Sequence, residues 1–208
     1  MIGIFGGTFD PIHQGHLNIA RQCCEQLNLT SLAFMPCAQP AHKKSPGISA
    51  RDRANMVQLA IAPYPKFSLD ERELNRVGPS YSLLSLQEIR QTEPNRPIAF
   101  LIGMDSLNQL HLWHQWQEVT ALCHLIVCQR PGQICAPAAE VTDYLKQARC
   151  QEVNDLVQQK AGLCYFLSCP QIDISSSELR LSLKNAANFP ALLPKTVANY
   201  IKTHQLYC

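Results

Sequence analysis

Short apolar runs alternate with stretches of helical periodicity along most of the chain. The first run, Met1–Phe5, predicts a buried strand. From His16 onward, apolar residues recur at the spacing of one helix face, at Leu17, Ala20, Cys24 and Leu27. The chain is therefore predicted to begin with a strand and a helix, joined by a short segment rich in glycine and containing a proline.

Later apolar runs predict further strands, with helical patterns between them. The run Pro97–Gly103 is continuously apolar, which is typical of a strand buried on both faces. Ser49 is placed to cap a helix that ends at Ala62, and a last helix begins at the proline of 193–201. The other predicted strands are Ser31–Pro36, Phe67–Asp70, His124–Cys128 and Leu163–Leu167. This alternation indicates an α/β fold, with a doubly wound, mainly parallel sheet and helices on both faces, in a single domain over 1–208.

Composition narrows the class of protein. Of 208 residues, 46% are hydrophobic and 16% are charged, as in a globular domain, and the formal net charge is +2. So small a charge gives no indication of a nucleic-acid or membrane partner. No apolar run is long enough to span a bilayer, and the N-terminal residues lack the pattern of a signal peptide. We therefore expect a cytoplasmic protein; the pattern indicates no oligomeric state.

Ten cysteines are many for a chain of this length. Most lie inside apolar segments, where a free cysteine behaves as a small buried hydrophobe. Two pairs, Cys123/Cys128 and Cys164/Cys169, share a spacing within the loose range of zinc ligands. Each pair flanks a predicted strand instead of a tight turn, so buried free thiols are the favoured interpretation and a structural zinc is the alternative.

The segment after the first predicted strand carries the clearest chemistry. Gly6 and Gly7 lie where that strand ends, and the N–H groups of the next helix start favour an anion. His13 and His16 are three residues apart across this helix start, so both side chains can face the same ligand. The pattern predicts a nucleotide-phosphate site at the carboxyl end of the strand, where open α/β sheets bind ligands.

Two further segments fit the same site. Gly103 ends a predicted strand and Asp105 follows it, although an aspartate there is also a common helix cap. Ser175 and Glu178 have the spacing of a capping box. Capping does not explain three consecutive serines followed by Arg180, whose hydroxyls, N–H groups and guanidinium together suit a polyphosphate; the serines are Ser175, Ser176 and Ser177.

Other candidates have simpler alternatives. Lys43 lies in a loop after a strand, where surface lysines are common. Ser82 would serve as a helix cap, and Trp113 and Trp116 at helical spacing would serve as core. His111 and His114 repeat the spacing of the first histidine pair, so a four-histidine metal site is a further alternative. No dinucleotide-binding glycine motif, Walker lysine motif or hydrolase serine motif is present.

The stretch from Gly6 to His16, Gly-Gly-Thr-Phe-Asp-Pro-Ile-His-Gln-Gly-His, resembles the bacterial nicotinate-nucleotide adenylyltransferases of the His-x-Gly-His nucleotidyltransferase superfamily. The similarity extends to Gly103–Leu107, to Trp113-His-Gln-Trp116, to Arg130-Pro-Gly and to Ile174–Arg180. Departures are conservative: Ala41 replaces a proline, Ser82 and Ser177 replace threonines, Met104 replaces an alanine, and Leu179 replaces an isoleucine.

The resemblance implies transfer of AMP from ATP to nicotinate mononucleotide, with Mg²⁺ on the ATP phosphates and no metal held by protein side chains. It implies three catalytic residues, His13, His16 and Arg180. The implied ATP-binding residues are Gly6, Gly7, Thr8, Phe9, Gly103, Asp105, Ser175, Ser176 and Ser177. The implied mononucleotide-binding residues are Lys43, Ser82, Trp113 and Arg130.

Three other functions are compatible with parts of the sequence. A pantetheine-phosphate or nicotinamide-mononucleotide adenylyltransferase shares the histidine motif and differs on the acceptor side. A regulator that has lost catalysis is disfavoured because both histidines and Arg180 are intact. A tRNA-binding relative of the synthetases is disfavoured by the near-neutral charge.

Overall fold

The computed structural model describes residues 1–39, 47–129, 132–169, 174–185 and 192–207. The strands are β1 (Ile2–Gly7), β2 (Ser31–Pro36), β3 (Phe67–Leu69), β4 (Ile98–Gly103), β5 (His124–Gln129), β6 (Arg149–Cys150) and β7 (Cys164–Ser168). The helices are α1 (Gln14–Gln26), α2 (Ala50–Ile61), α3 (Ser82–Thr92), α4 (Met104–Asn108), α5 (Trp116–Leu122), α6 (Ala139–Ala148), α7 (Val153–Gln158), α8 (Ser176–Asn185) and α9 (Lys195–Thr203).

The strands form one seven-stranded sheet in the order β3-β2-β1-β4-β5-β7-β6, and every pairing described is parallel. The chain moves outward from β1 through β2 to β3, then returns to place β4 on the other side of β1. The strand order therefore reverses between β1 and β4, and their carboxyl ends flank the switch point of a doubly wound fold. The predicted fold class is confirmed.

Side chains alternate between two cores because successive residues of a strand face opposite sides of the sheet. In β4, Ala99 and Leu101 pack on one face, whereas Phe100 and Ile102 pack on the other. The first face is covered by α1, α2, α7, α8 and α9, and the second by α3, α4, α5 and α6. Among the described residues, no helix is long and apolar enough to cross a bilayer.

Two boundaries at the first strand differ from the sequence prediction. Strand β1 runs on through Gly6 and Gly7, which remain paired with Met35 and Pro36 of β2. Helix α1 begins at Gln14, so His13 is its N-cap and His16 lies in its first turn. The glycines are thus the last two residues of the strand, which brings their backbone and both histidines to the same edge of the sheet.

Candidate active site

A cavity of about 700 Å³ lies over the carboxyl ends of β1 and β4. It brings together most of the residues that the sequence indicated for ATP. Its walls include Gly6, Gly7, Thr8, Phe9, His16, Gly103, Asp105, Ser176, Ser177 and Arg180. Residues separated by more than 150 positions in the chain therefore share one cleft at the switch point.

The segment after β1 is held by the ring of Phe9. Phe9 is 2% exposed, has a left-handed φ of 48°, and packs edge-on against Phe5 and His16. A Cβ on Gly7 would lie 2.9 Å from the Phe9 ring, so a side chain at this position would displace it. Phe9 is thus a buried apolar anchor for the segment that lines the cavity. Position 7 requires glycine because the Phe9 ring lies so close to its backbone.

The two motif histidines occupy different depths. His13 is 2% exposed and its ring lies 3.8 Å from that of His16, centroid to centroid. The backbone N–H of His13 donates to Nδ1 of His16 over 3.3 Å. An imidazole nitrogen that accepts a hydrogen bond carries no proton, so the neutral ring of His16 has its proton on Nε2. His16 lines the cavity as a hydrogen-bond donor, and His13 lies behind it.

The start of α8 confirms the predicted capping box. The Ser175 N–H and hydroxyl both donate to Glu178 Oε2, and the Glu178 N–H donates to Ser175 Oγ. The Ser176 hydroxyl donates to the carbonyl of Pro11. Ser175 itself does not line the cavity, so its contact with ATP stays a prediction, whereas Ser176 and Ser177 do line it.

Arg180 connects α8 to the segment after β1. Its Nη1 donates to the carbonyl oxygen of Asp10 over 2.7 Å and lies 3.5 Å from Oδ2 of the same residue. Its Nη2 donates to Ser177 Oγ over 3.2 Å. A guanidinium has five N–H donors, so these contacts orient the group and leave donors for an anion in the cavity.

A buried arginine that the motif did not indicate also binds the segment after β1. Arg53 of α2 is 1% exposed; Nη1 donates to the Thr8 carbonyl over 2.6 Å, and Nη2 to the Ala38 carbonyl over 3.3 Å. The periodicity of α2 places Arg53 on its apolar side. A charge on that side was the one sequence feature that could have revealed this role, because a buried guanidinium needs acceptors.

A second cavity, of about 220 Å³, lies on the other side of β1 and β4. The two cavities share Gly6, Gly7, Thr8, Gly103 and Asp105. They therefore lie on either side of the ends of β1 and β4 and meet at these residues. Its outer wall is formed by Ser80, Tyr81, Ser82, Trp113 and His114. The structure therefore brings the predicted mononucleotide residues Ser82 and Trp113 to one place, adjacent to the predicted ATP residues.

The aromatic side chains of this wall have distinct roles. Trp113 is half-buried and packs edge-on against Phe100, whereas Trp116 is buried in the core. Tyr81 and His114 stack with centroids 4.5 Å apart. Of the two tryptophans, Trp113 alone lines the cavity, as the prediction for the mononucleotide requires.

Glu73 is a second residue that the sequence did not indicate. It lines the second cavity at 5% exposure, and burial raises the pKa of its carboxyl. The Ser85 hydroxyl donates to its Oε1 over 2.9 Å, and the Ser80 hydroxyl is also hydrogen-bonded to it. Ser80 Oγ in turn accepts from the N–H of Ala38 and of Gln39. Glu73 therefore fixes two walls of the cavity to each other.

The simpler interpretation of Ser82, as a helix cap, is wrong. The N-cap of α3 is Tyr81, which makes no side-chain capping bond, and the nearby Ser80 is bonded to Ala38 and Gln39. Ser82 is the first residue of the helix. The first N–H groups of α3 are therefore left without a side-chain cap at the wall of the second cavity.

Some candidates lie outside the described residues, and others remain isolated. Lys43 and Arg130 belong to 40–46 and 130–131, which the structure does not describe. Within the described ranges, no three His, Cys, Asp or Glu side chains converge as a metal site. The cysteines of those ranges are free thiols, including Cys123, Cys128, Cys164 and Cys169. The described residues therefore support neither the zinc nor the four-histidine alternative.

Comparison with known proteins agrees with this geometry. The family model described as cytidylyltransferase-like matches residues 4–182. The chain is 40% identical over 208 residues to the probable nicotinate-nucleotide adenylyltransferase of Shewanella frigidimarina, covering 99% of each chain. It is 38% identical over 209 residues to that of Yersinia pestis, covering 100% of this chain and 95% of the relative.

Solved structures show the same fold at low sequence identity. The nicotinic acid mononucleotide adenylyltransferase of Plasmodium falciparum complexed with NaAD matches with a TM-score of 0.73 at 20% identity, covering 99% of this chain and 96% of that one. The same Plasmodium falciparum enzyme complexed with APC matches with a TM-score of 0.72 at 18% identity, covering 99% of this chain and 96% of that one.

Proposed function

We propose that this chain, which belongs to the cytidylyltransferase-like family and within it to the nicotinate-nucleotide adenylyltransferases, transfers AMP from ATP to nicotinate mononucleotide. The products are nicotinate adenine dinucleotide and pyrophosphate, and the reaction is a step of NAD synthesis. The observation that supports this most is the pair of compartments that meet at Gly6–Thr8 and Gly103–Asp105. Two nucleotides bound there would have their phosphates side by side.

The chemistry is an in-line displacement at phosphorus. An oxygen of the acceptor 5′-phosphate forms a bond to the α-phosphorus of ATP, and the bond from that phosphorus to the bridging oxygen of the β-phosphate breaks. Pyrophosphate leaves with the electron pair. No side chain needs to become covalently attached, so catalysis consists of positioning and stabilisation of charge.

The larger cavity supplies the donors for ATP. His16, with its proton on Nε2, donates to the α-phosphate oxygens as negative charge builds on them. His13 holds the ring of His16 through its backbone N–H and through contact of the two rings. Arg180, Ser177 and the N–H groups at the start of α8 bind the β- and γ-phosphates.

The smaller cavity suits the acceptor. Trp113 offers a ring face to the pyridine ring, which is cationic once a ribose is attached to its nitrogen and is therefore attracted by aromatic faces. The uncapped start of α3 offers N–H groups to an anionic carboxylate. Ser82 lies at this helix start. Lys43, which the family resemblance implies as a mononucleotide-binding residue, is proposed to contact the acceptor phosphate.

Mg²⁺ is proposed to enter with ATP. Mg²⁺ binds phosphate oxygens, so the ion would be held mainly by the ATP phosphates. When bound there it would neutralise charge on the triphosphate. Dependence on ATP and the free cysteines of the described ranges support the expected cytoplasmic location.

The acceptor is identified by a single experiment. The protein is incubated with ATP, Mg²⁺ and one acceptor at a time: nicotinate mononucleotide, nicotinamide mononucleotide or phosphopantetheine. Released pyrophosphate is measured and the nucleotide product is identified by mass. We expect pyrophosphate and nicotinate adenine dinucleotide in equal amounts with the first acceptor. Pyrophosphate with phosphopantetheine alone, or none with any acceptor, would contradict the proposal.

A further inference from the structure

A tyrosine far along the chain reaches the segment after β1. Tyr207 follows α9 and is 8% exposed. Its hydroxyl donates to Oδ1 of Asp10 over 2.7 Å in a buried hydrogen bond between residues 197 positions apart. Burial and the neighbouring Asp10 carboxylate raise the pKa of the Tyr207 hydroxyl far above its usual value. The hydroxyl therefore keeps its proton and remains a donor.

Asp10 is the link between Tyr207 and the phosphate cavity. Its carboxylate is 10% exposed, and while Oδ1 accepts from Tyr207, Oδ2 lies 3.5 Å from Nη1 of Arg180. The same Nη1 donates to the Asp10 carbonyl. Asp10 thus holds Arg180 mainly through its backbone, with its carboxylate turned partly away.

This arrangement matters because Asp10 and a bound triphosphate are both anions that compete for Arg180. An aspartate and a guanidinium free to rearrange favour a two-point pair, in which both carboxylate oxygens accept N–H groups. The hydrogen bond from the Tyr207 hydroxyl to Oδ1 holds the carboxylate in an orientation in which Oδ2 is the oxygen nearer to Arg180, and this orientation opposes that pair. Without it, the carboxylate of Asp10 is free to turn toward Arg180 and take up donors that the phosphates need.

We propose that Tyr207 is a positioning residue for ATP: by holding the Asp10 carboxylate it keeps the free N–H donors of Arg180 directed into the phosphate cavity. The proposal rests on the proposed function for the identity of the phosphate ligand. It goes beyond that function in making the segment after α9 part of the ATP site. Tyr207 touches no substrate in this account and acts through Asp10 and Arg180.

The chain offers a control tyrosine nearby, in α9. The Tyr200 hydroxyl donates to Oδ1 of Asp52 over 2.9 Å, which is the same pair of residue types at a similar distance. Asp52 lies in α2, and neither it nor Tyr200 lines the cavities described above. Tyr200→Phe therefore removes a tyrosine–aspartate hydrogen bond, together with the one that Asn55 donates to the same hydroxyl, without reaching the phosphate site.

The first experiment measures ATP binding directly, without an acceptor, by calorimetric titration with a non-hydrolysable ATP analogue and Mg²⁺. A hydrogen bond to a charged group has a strength that corresponds to roughly a tenfold change in affinity. We expect Tyr207→Phe to weaken analogue binding about tenfold and Tyr200→Phe to change it less than about twofold. Because no turnover is involved, failure of the acceptor assignment leaves this test intact.

The second experiment distinguishes positioning from a general loss of structure. KM for ATP, KM for nicotinate mononucleotide and the melting temperature are measured for both variants, and Tyr207→Phe is repeated in an Arg180→Ala background. We expect Tyr207→Phe to raise KM for ATP about tenfold and to leave the acceptor KM within about twofold. In the Arg180→Ala background its effect should disappear. Equal loss for both substrates, or an effect that persists without Arg180, would overturn the proposal.

Discussion

The backbone N–H of His13 donates to Nδ1 of His16 over 3.3 Å, and the two rings lie 3.8 Å apart between centroids. This hydrogen bond places the proton of the neutral His16 ring on Nε2. It also couples the ring to the first turn of α1, where the positive end of the helix dipole favours negative charge nearby. His16 is thereby oriented to donate to an anion before any substrate binds.

Replacing His16 with alanine should reduce kcat by about 100-fold or more, because a preoriented donor to developing charge acts in the transition state. Affinity for ATP should stay within a few-fold. Steady-state kinetics and direct titration with a non-hydrolysable ATP analogue measure the two effects separately. His204→Ala, at an exposed histidine after α9, is the control and should leave both values unchanged. Near-normal kcat with poor ATP binding would show that His16 is a ground-state ligand.

Trp113→Ala should raise KM for nicotinate and nicotinamide mononucleotides alike, by about fivefold or more, because a ring face attracts both cationic pyridine rings. KM for ATP should change little. Trp113→Phe keeps an aromatic face and should recover part of the loss. The measurement is KM for each acceptor at saturating ATP. If the alanine variant changed the preference between the two acceptors more than tenfold, Trp113 would be selecting the acid or the amide, contrary to this account.

Glu73 makes stability depend on pH in a defined direction. Burial raises the pKa of its carboxyl in the folded state, so the folded protein retains a proton that the unfolded chain releases. Its contribution to the free energy of unfolding therefore falls as pH rises from the unfolded value, about 4.3, through the raised folded value. Glu73→Gln keeps an acceptor for Ser85 without the charge.

The difference in melting temperature between Glu73→Gln and the native protein should therefore depend on pH. The melting temperature of the variant should rise relative to that of the native protein as pH increases from 5 to 8, and the difference should be smallest at the acid end. Glu73→Ala leaves the Ser85 hydroxyl without its acceptor and should cost about 1–3 kcal/mol at the acid end, with a smaller cost as pH rises. A glutamine variant that lost stability steadily as pH rose would mean that the ionised carboxylate is the stabilising form.

The sequence predicted the elements well because their apolar periodicity reflects burial on the sheet. Ser31–Pro36 matches β2 residue for residue, and the capping box at Ser175 and Glu178 is present as predicted. Local backbone geometry was harder to predict. The apolar run predicts that the first strand ends at Phe5, whereas Gly6 and Gly7 extend it, because glycine pairs in a parallel ladder as other residues do.

The residues that hold the site together could not be predicted in the same way. Arg53 and Tyr207 act through hydrogen bonds to Thr8 and Asp10, which are remote in the chain. Glu73 bonds to the nearby Ser80, which in turn bonds to the remote Ala38. No local periodicity encodes such a pairing, since it depends on which loops the sheet order brings together. A motif predicts the groups that touch substrate, and the supporting network becomes visible only in three dimensions.

The choice between acid and amide acceptors distinguishes this account from the nearest alternative. The uncapped N–H groups at the start of α3 favour a carboxylate and cannot accept a hydrogen bond from an amide. Glu73 also lines the second cavity, where hydrogen bonds to Ser80 and Ser85 hold its carboxyl in the wall. The pocket is therefore expected to prefer nicotinate.

The most direct test is the ratio of kcat/KM for nicotinate mononucleotide to kcat/KM for nicotinamide mononucleotide, measured on the native protein with saturating ATP and Mg²⁺. Polar groups left unpaired in a site can change this ratio by large factors, and we expect about 100-fold or more in favour of the acid. Equal values for the two acceptors, or a preference for the amide, would contradict it.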